Sequence, residues 1–78
     1  MSYQGSHLRD RREGKGLSRR GVVVLLSGAG MEVTEGTLSR WEDGTTQPRA
    51  DDLAMLAAIL ECDVQDFFEP APKEGALA

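Results

Sequence analysis

Apolar residues recur with helical spacing along most of this chain. Leu53, Leu56, Ala57 and Leu60 stand at i, i+3, i+4 and i+7, one face of a helix. Asp51 and Asp52, just ahead of them, suit the positive first turn of that helix. Further upstream, Ser6 is placed to cap a helix from His7 to about Lys15, which Gly14 and Gly16 punctuate. Ser18 is a second cap, opening Arg19 to Leu26 just after the apolar Leu17. Thr34 is a third, opening a helix through about Asp43 with Gly44 as its stop. In that helix Leu38 and Trp41 form the inward stripe, while Glu35, Gly36, Ser39 and Arg40 face away. Gly44 to Pro48 reads as a turn, and Asp63 caps a last short helix that sends Val64, Phe67 and Phe68 to the core. Residues 1 to 5 read as a frayed start, and Pro70, Pro72 and the small residues to Ala78 as a loose tail. The expected organisation is a flexible N-terminus over 1–6, one folded domain over 7–69 and a disordered tail over 70–78.

One stretch supports two readings. Val22, Val23 and Val24 after Gly21 favour a strand locally. Gly28-Ala29-Gly30 would then open the phosphate loop of a dinucleotide fold, with Asp51 about 20 residues on. Two facts oppose this. Val33 stands where the third glycine belongs, and the chain is too short for two βαβ halves. With helix signals on both sides, residues 22 to 26 are expected to form a buried helix that the glycines break. The expected fold class is all-α.

Composition narrows the setting. With 78 residues, one small domain is expected. Its 40% apolar and 28% charged residues are ordinary for a globular protein. No apolar run approaches a membrane span, and the start lacks the hydrophobic core of a signal peptide, so a cytoplasmic location is expected. The single cysteine, Cys62, can form no internal disulfide and no zinc site alone, and reads as a small hydrophobe rather than a reactive thiol. The fold must then rest on its apolar core. Met55 and Ile59 widen the stripe of the fourth helix enough for a self-association surface that Phe67 and Phe68 could share.

Charge is distributed unevenly. The net charge of -4 hides six cations against two acids in residues 1 to 22 (Arg9, Arg11, Arg12, Lys15, Arg19 and Arg20 against Asp10 and Glu13), a net +4. The remaining residues carry three cations against eleven acids. A local basic patch favours a polyanionic partner even in an acidic chain, because phosphates respond to the nearby field. The alternative is a solvated basic helix face with no partner.

The block Val33-Thr-Glu-Gly-Thr-Leu-Ser-Arg-Trp-Glu-Asp-Gly44 resembles the second half of a helix-turn-helix of the Cro and phage-repressor class, the XRE family. Leu8-Arg-Asp-Arg-Arg-Glu-Gly-Lys-Gly-Leu-Ser-Arg19 is similar to that family's first helix and the start of its second. Pro48 to Leu60 and Asp63 to Phe68 resemble its fourth and fifth helices. The resemblance implies a compact five-helix bundle of the lambda-repressor-like DNA-binding type. Here the turn between helices 2 and 3 is elongated by Ser27 to Glu32, with Met31 and Val33 closing over the core. Arg11 stands at a usually apolar position, and Gly21 and Val23 replace the small or polar helix formers common early in the second helix.

The implied function is sequence-specific binding of double-stranded DNA by a transcriptional regulator, a repressor acting as a homodimer on half-sites about 34 Å apart. Glu35, Gly36, Thr37 and Arg40 are the expected base contacts. Gly36 would let the backbone approach a base edge, and Arg40, one turn on, can pair bidentately with guanine. Glu35 has two open readings, acceptor from cytosine N4 or dipole-stabilising acid in the first turn. Ser18, Arg19, Arg20, Thr34, Thr45, Thr46, Gln47 and Arg49 are the expected phosphate contacts. Arg12 and Glu42 occupy positions that form a structural ion pair in the family. No metal, cofactor or membrane partner is implied. Nothing arranges a serine, the lone His7 and an acid for catalysis, so the chain is not expected to be an enzyme. His7 reads as a surface or capping residue. The competing expectation is a protein-interaction module, an antirepressor or antitoxin-like adaptor on the same fold, favoured by the acidic C-terminal half and Glu35.

Overall fold

The computed structural model describes residues 2–69. Four α-helices follow one another: α1 (Gly5–Gly14), α2 (Arg19–Gly28), α3 (Glu35–Asp43) and α4 (Ala50–Leu60). A single 3-10 turn, Val64–Phe67, stands where a fifth helix was expected. No strand was expected and the described residues contain none beyond one isolated bridge. Four residues between the Asp63 cap and the extended Phe68 allow one tight turn and no more.

Polar caps set most helix starts. The Ser18 hydroxyl accepts from the Gly21 N–H at 3.0 Å, and the Thr34 hydroxyl accepts from the Thr37 N–H at 3.0 Å. For α4 the Asp52 carboxylate reaches back to the Arg49 N–H at 3.0 Å. Gly44 ends α3 at φ +83°, a left-handed turn that glycine adopts without strain, and Thr45 N–H then bonds the Arg40 carbonyl at 3.0 Å.

The core gathers Leu8, Val22, Leu26, Leu38, Trp41, Leu53, Leu56, Ala57, Leu60 and Phe67 from every element. The valine run is helical, and only part of it is buried. Val22 and Leu26, four apart, are fully inside, whereas Val24 and Leu25 are 59% and 42% exposed. α2 runs two residues past its expected end, to Gly28, before the link through residues 29–34. Met31 N–H bonds the Leu26 carbonyl at 2.8 Å, and Met31 and Val33 pack partly buried against the core.

The N-terminus departs most from expectation. Ser6 does not cap α1, which begins at Gly5 behind Gln4 with no side-chain cap. Residues 2 to 4 do not fray either. Gln4 N–H donates to the Phe67 carbonyl at 2.9 Å, Glu69 N–H donates to the Ser2 carbonyl at 2.8 Å, and Tyr3 bridges Phe68 antiparallel. The Tyr3 and Phe68 rings meet edge to face with centroids 6.1 Å apart. His7 donates through Nδ1 to the Phe68 carbonyl at 3.2 Å. The segment that leads into α1 is therefore held by backbone pairing with the distant end of the domain, while no side chain caps the helix itself. The same packing changes the expected surface. Phe67 is fully buried and cannot serve self-association, Phe68 is half-buried, and Val64 is 36% exposed rather than in the core. The expected tail, 70–78, lies outside the described residues.

Candidate nucleic-acid interface

The trailing end of α3 is bolted down. Tyr3 donates its hydroxyl to the Trp41 carbonyl at 2.9 Å. Gly5 lies so close that a Cβ there would overlap the carbonyl oxygens of Trp41 and Glu42. The Glu42 carboxylate, with a side chain 1% exposed, accepts from Arg12 Nε at 2.6 Å and from Arg12 Nη2 at 3.1 Å. Arg12 Nη1 is satisfied by the Leu17 carbonyl at 2.9 Å, which ties α1 to the start of α2. The hydrogen bond to Glu42 raises the Arg12 pKa above its ordinary value, with burial opposing. Burial, helped by the Glu42 charge, also raises the Tyr3 phenol well above its usual range. This carboxylate also meets Arg19, whose Nε donates to Oε1 at 3.1 Å.

The leading end of α3 is open. Thr34, Glu35, Gly36 and Arg40 are exposed, and Thr37 and Ser39 are half-buried. Leu38 and Trp41 point into the core, so the helix is held by one face and presents the other. Around it Ser18, Arg20, Thr45, Thr46, Gln47 and Arg49 are all exposed, and Arg19 is partly so.

Ion pairing changes the expected basic patch. Of the six cations before residue 22, Arg9 pairs with Glu13 at 3.6 Å, Arg11 with Asp66 at 3.4 Å, and Lys15 with Glu61. Arg12 and Arg19 share Glu42. Among the described residues the guanidinium groups of Arg20, Arg40 and Arg49 form no ion pair with a carboxylate. The cations along α1 are thus largely paired, and the guanidinium groups left without a carboxylate partner stand on α2, on α3 and at the N-cap of α4. Arg19 is the residue whose surroundings sequence reasoning missed. It is tethered through Nε yet keeps its side chain 34% exposed. Tyr3 and Gly5 were missed as well, and an aromatic residue followed closely by glycine in an otherwise polar N-terminus was the available signal.

Other features carry less. A shallow cleft of about 460 Å³ is lined by Arg11, Ala57, Ala58, Glu61, Cys62, Asp63 and Asp66, whose charges are largely spent on the pairs above. Burial pushes the Cys62 thiol up, away from the thiolate. Among the described residues no three His, Cys, Asp or Glu side chains are grouped to hold a metal ion, and no helix is long and apolar enough to cross a membrane.

A short amphipathic helix, braced by a second helix and exposed at its first turn, defines the helix-turn-helix class. Residues 5–67 match a family model described as a helix-turn-helix domain, and the chain belongs to that family, one typical of XRE-like DNA-binding regulators. Neither the curated proteins nor the solved structures include a match to it.

Proposed function

We propose that this chain is a sequence-specific double-stranded DNA-binding transcriptional regulator, a repressor that works as a homodimer in the cytoplasm. The observation that carries the reading is the exposed first turn of α3, offered from a helix whose other end is buried. A helix so held can enter the major groove without loss of packing. Glu35, Gly36, Thr37 and Arg40 lie on or beside that turn and are assigned to the base edges. Ser18, Arg19, Arg20 and Thr34, with Thr45, Thr46, Gln47 and Arg49 in the loop after Gly44, are assigned to phosphates. Arg19 fits this role through the guanidinium nitrogens it does not spend on Glu42. Half-sites about 34 Å apart are expected of a two-fold dimer.

The experiment is selection from randomised duplexes with the purified chain, followed by a salt titration of the winning site. A two-fold symmetric site is expected, with log K falling linearly against log salt. Absent or salt-insensitive binding would refute the reading and turn attention to the protein-interaction module, which the neutralised α1 tract favours.

A further inference from the structure

In an α-helix side chains lean toward the N-terminus, so residue 40 covers the turn that begins at residue 36. The structure shows this lean in detail. Arg40 Nη1 lies over Gly36, where an added Cβ would come within 3.7 Å of it. Arg40 Nη2 donates to the Thr37 hydroxyl oxygen at 3.4 Å. That oxygen is itself fixed, because the Thr34 hydroxyl donates to it at 3.1 Å while the Thr37 N–H donates back to Thr34 Oγ1 at 3.0 Å. A threonine hydroxyl has two acceptor sites and one hydrogen. With Thr34 and Arg40 both donating to it, the Thr37 oxygen is fully used as an acceptor.

We infer that Gly36 and Thr37 form a cradle that holds Arg40 forward on the leading turn of α3, making Arg40 the residue that determines sequence preference. Gly36 supplies the lane, Thr37 supplies the anchor, and neither reads a base itself. The held guanidinium meets no carboxylate among the described residues and keeps donors of its planar fork unspent. That fork fits a bidentate acceptor, which on a base edge is guanine O6 with N7. The inference rests on the DNA reading above and narrows it: of the residues assigned there to the base edges, Arg40 alone keeps that role, while Gly36 and Thr37 position it. Glu35, next to the cradle, is left to the helix dipole.

The test compares Arg40→Ala, Thr37→Val, Thr37→Ser, Gly36→Val and Gly36→Ala with the parent by selection on randomised duplex, and measures affinity for a non-cognate duplex alongside. Valine at 36 places two methyls beyond a Cβ that already stands 3.7 Å from Nη1 and so is expected to crowd the lane, while replacing glycine costs the helix nothing in propensity. Alanine at 36 makes only an ordinary contact. Arg40→Ala, Thr37→Val and Gly36→Val are expected to flatten preference at the same base pair by roughly tenfold, with non-cognate affinity and salt slope unchanged. Thr37→Ser and Gly36→Ala should stay within about twofold of the parent, as surface changes that keep the cradle do. Unchanged preference in Thr37→Val and Gly36→Val, beside a lost preference in Arg40→Ala, would overturn the cradle. Equal weakening on all sequences by Arg40→Ala would place the guanidinium on a phosphate and overturn it too. If the parent chain binds no duplex at all, the DNA reading itself falls and this inference with it.

Discussion

The two ends of α3 carry similar chemistry in opposite surroundings. At the trailing end an acid, Glu42, sits 5% exposed between two arginines of other helices. At the leading end an acid, Glu35, and the guanidinium of Arg40, which leans forward from the last turn over Gly36, both stand in solvent and do not meet as an ion pair. Burial makes the first cluster a structural fastener, because an unpaired charge there has no water to fall back on. Exposure leaves the second cluster uncommitted, with charge and donors available to an incoming molecule. A helix of nine residues, about 13 Å long, cannot hold its front steady unless its rear is fixed. In this domain the rear is fixed from three directions, by Tyr3, Gly5 and Arg12.

The largest break in that comparison should come from Glu42→Ala. It strands the Arg12 guanidinium in the core and is expected to cost roughly 3–5 kcal/mol, enough in so small a domain to abolish a cooperative melt. A denaturant midpoint close to that of the parent would remove the fastener role. Gly5→Ala comes next. Its methyl meets the backbone of α3, and overpacking of this kind costs about 1–3 kcal/mol. A thermal melt would show the loss, and an unchanged melting temperature would mean that α1 can slide away at no cost.

Tyr3 gives a pH signature to the same end. Its phenol titrates higher in the folded chain than its ordinary value of 10.0. Above pH 10 the unfolded chain therefore releases a proton that the folded chain keeps. Stability is complete below that pH and falls as pH rises beyond it. Tyr3→Phe should lose about 1 kcal/mol at neutral pH with its hydrogen bond, and should melt with a shallower alkaline slope. Identical slopes in the two proteins would assign the alkaline loss to other groups.

The smallest stability effect is expected at the front. Arg40→Ala should move stability by less than about 0.5 kcal/mol, as for other exposed positions without a buried partner. A large loss of stability in this variant would show that the two ends of α3 are less different than their burial implies.

Much of the fold was legible because its signals are local. Ser18 and Thr34 each cap the helix that follows, and Gly44 stops α3, since a hydroxyl acceptor or a left-handed turn acts on the next few residues only. The period of Leu53, Leu56, Ala57 and Leu60 marked a buried face that needed no knowledge of what would cover it. The fifth element was harder to read. A cap and two aromatics after it look alike for a helix and for a 3-10 turn, and the pairing of Phe68 with Tyr3 ended it early.

The interface divides in the same way. That the α3 front would be polar and outward followed from the spacing of Leu38 and Trp41. Which cations would remain available there did not follow, because Arg11, Lys15 and Arg19 find acids 55, 46 and 23 positions away. Counting charge along the chain made residues 1 to 22 look uniformly basic, while folding laid the acidic half over them.

What the chain determined by itself was periodicity, capping and the family it belongs to, since each depends on neighbours within a turn or two. The tertiary structure alone decided how the N-terminal segment closes on residues 67–69, how Gly5 fits beneath α3, and which arginines stay open to a partner. Ion pairs and close approaches depend on distances in space, and the order of residues along a chain does not contain those distances until the core has formed.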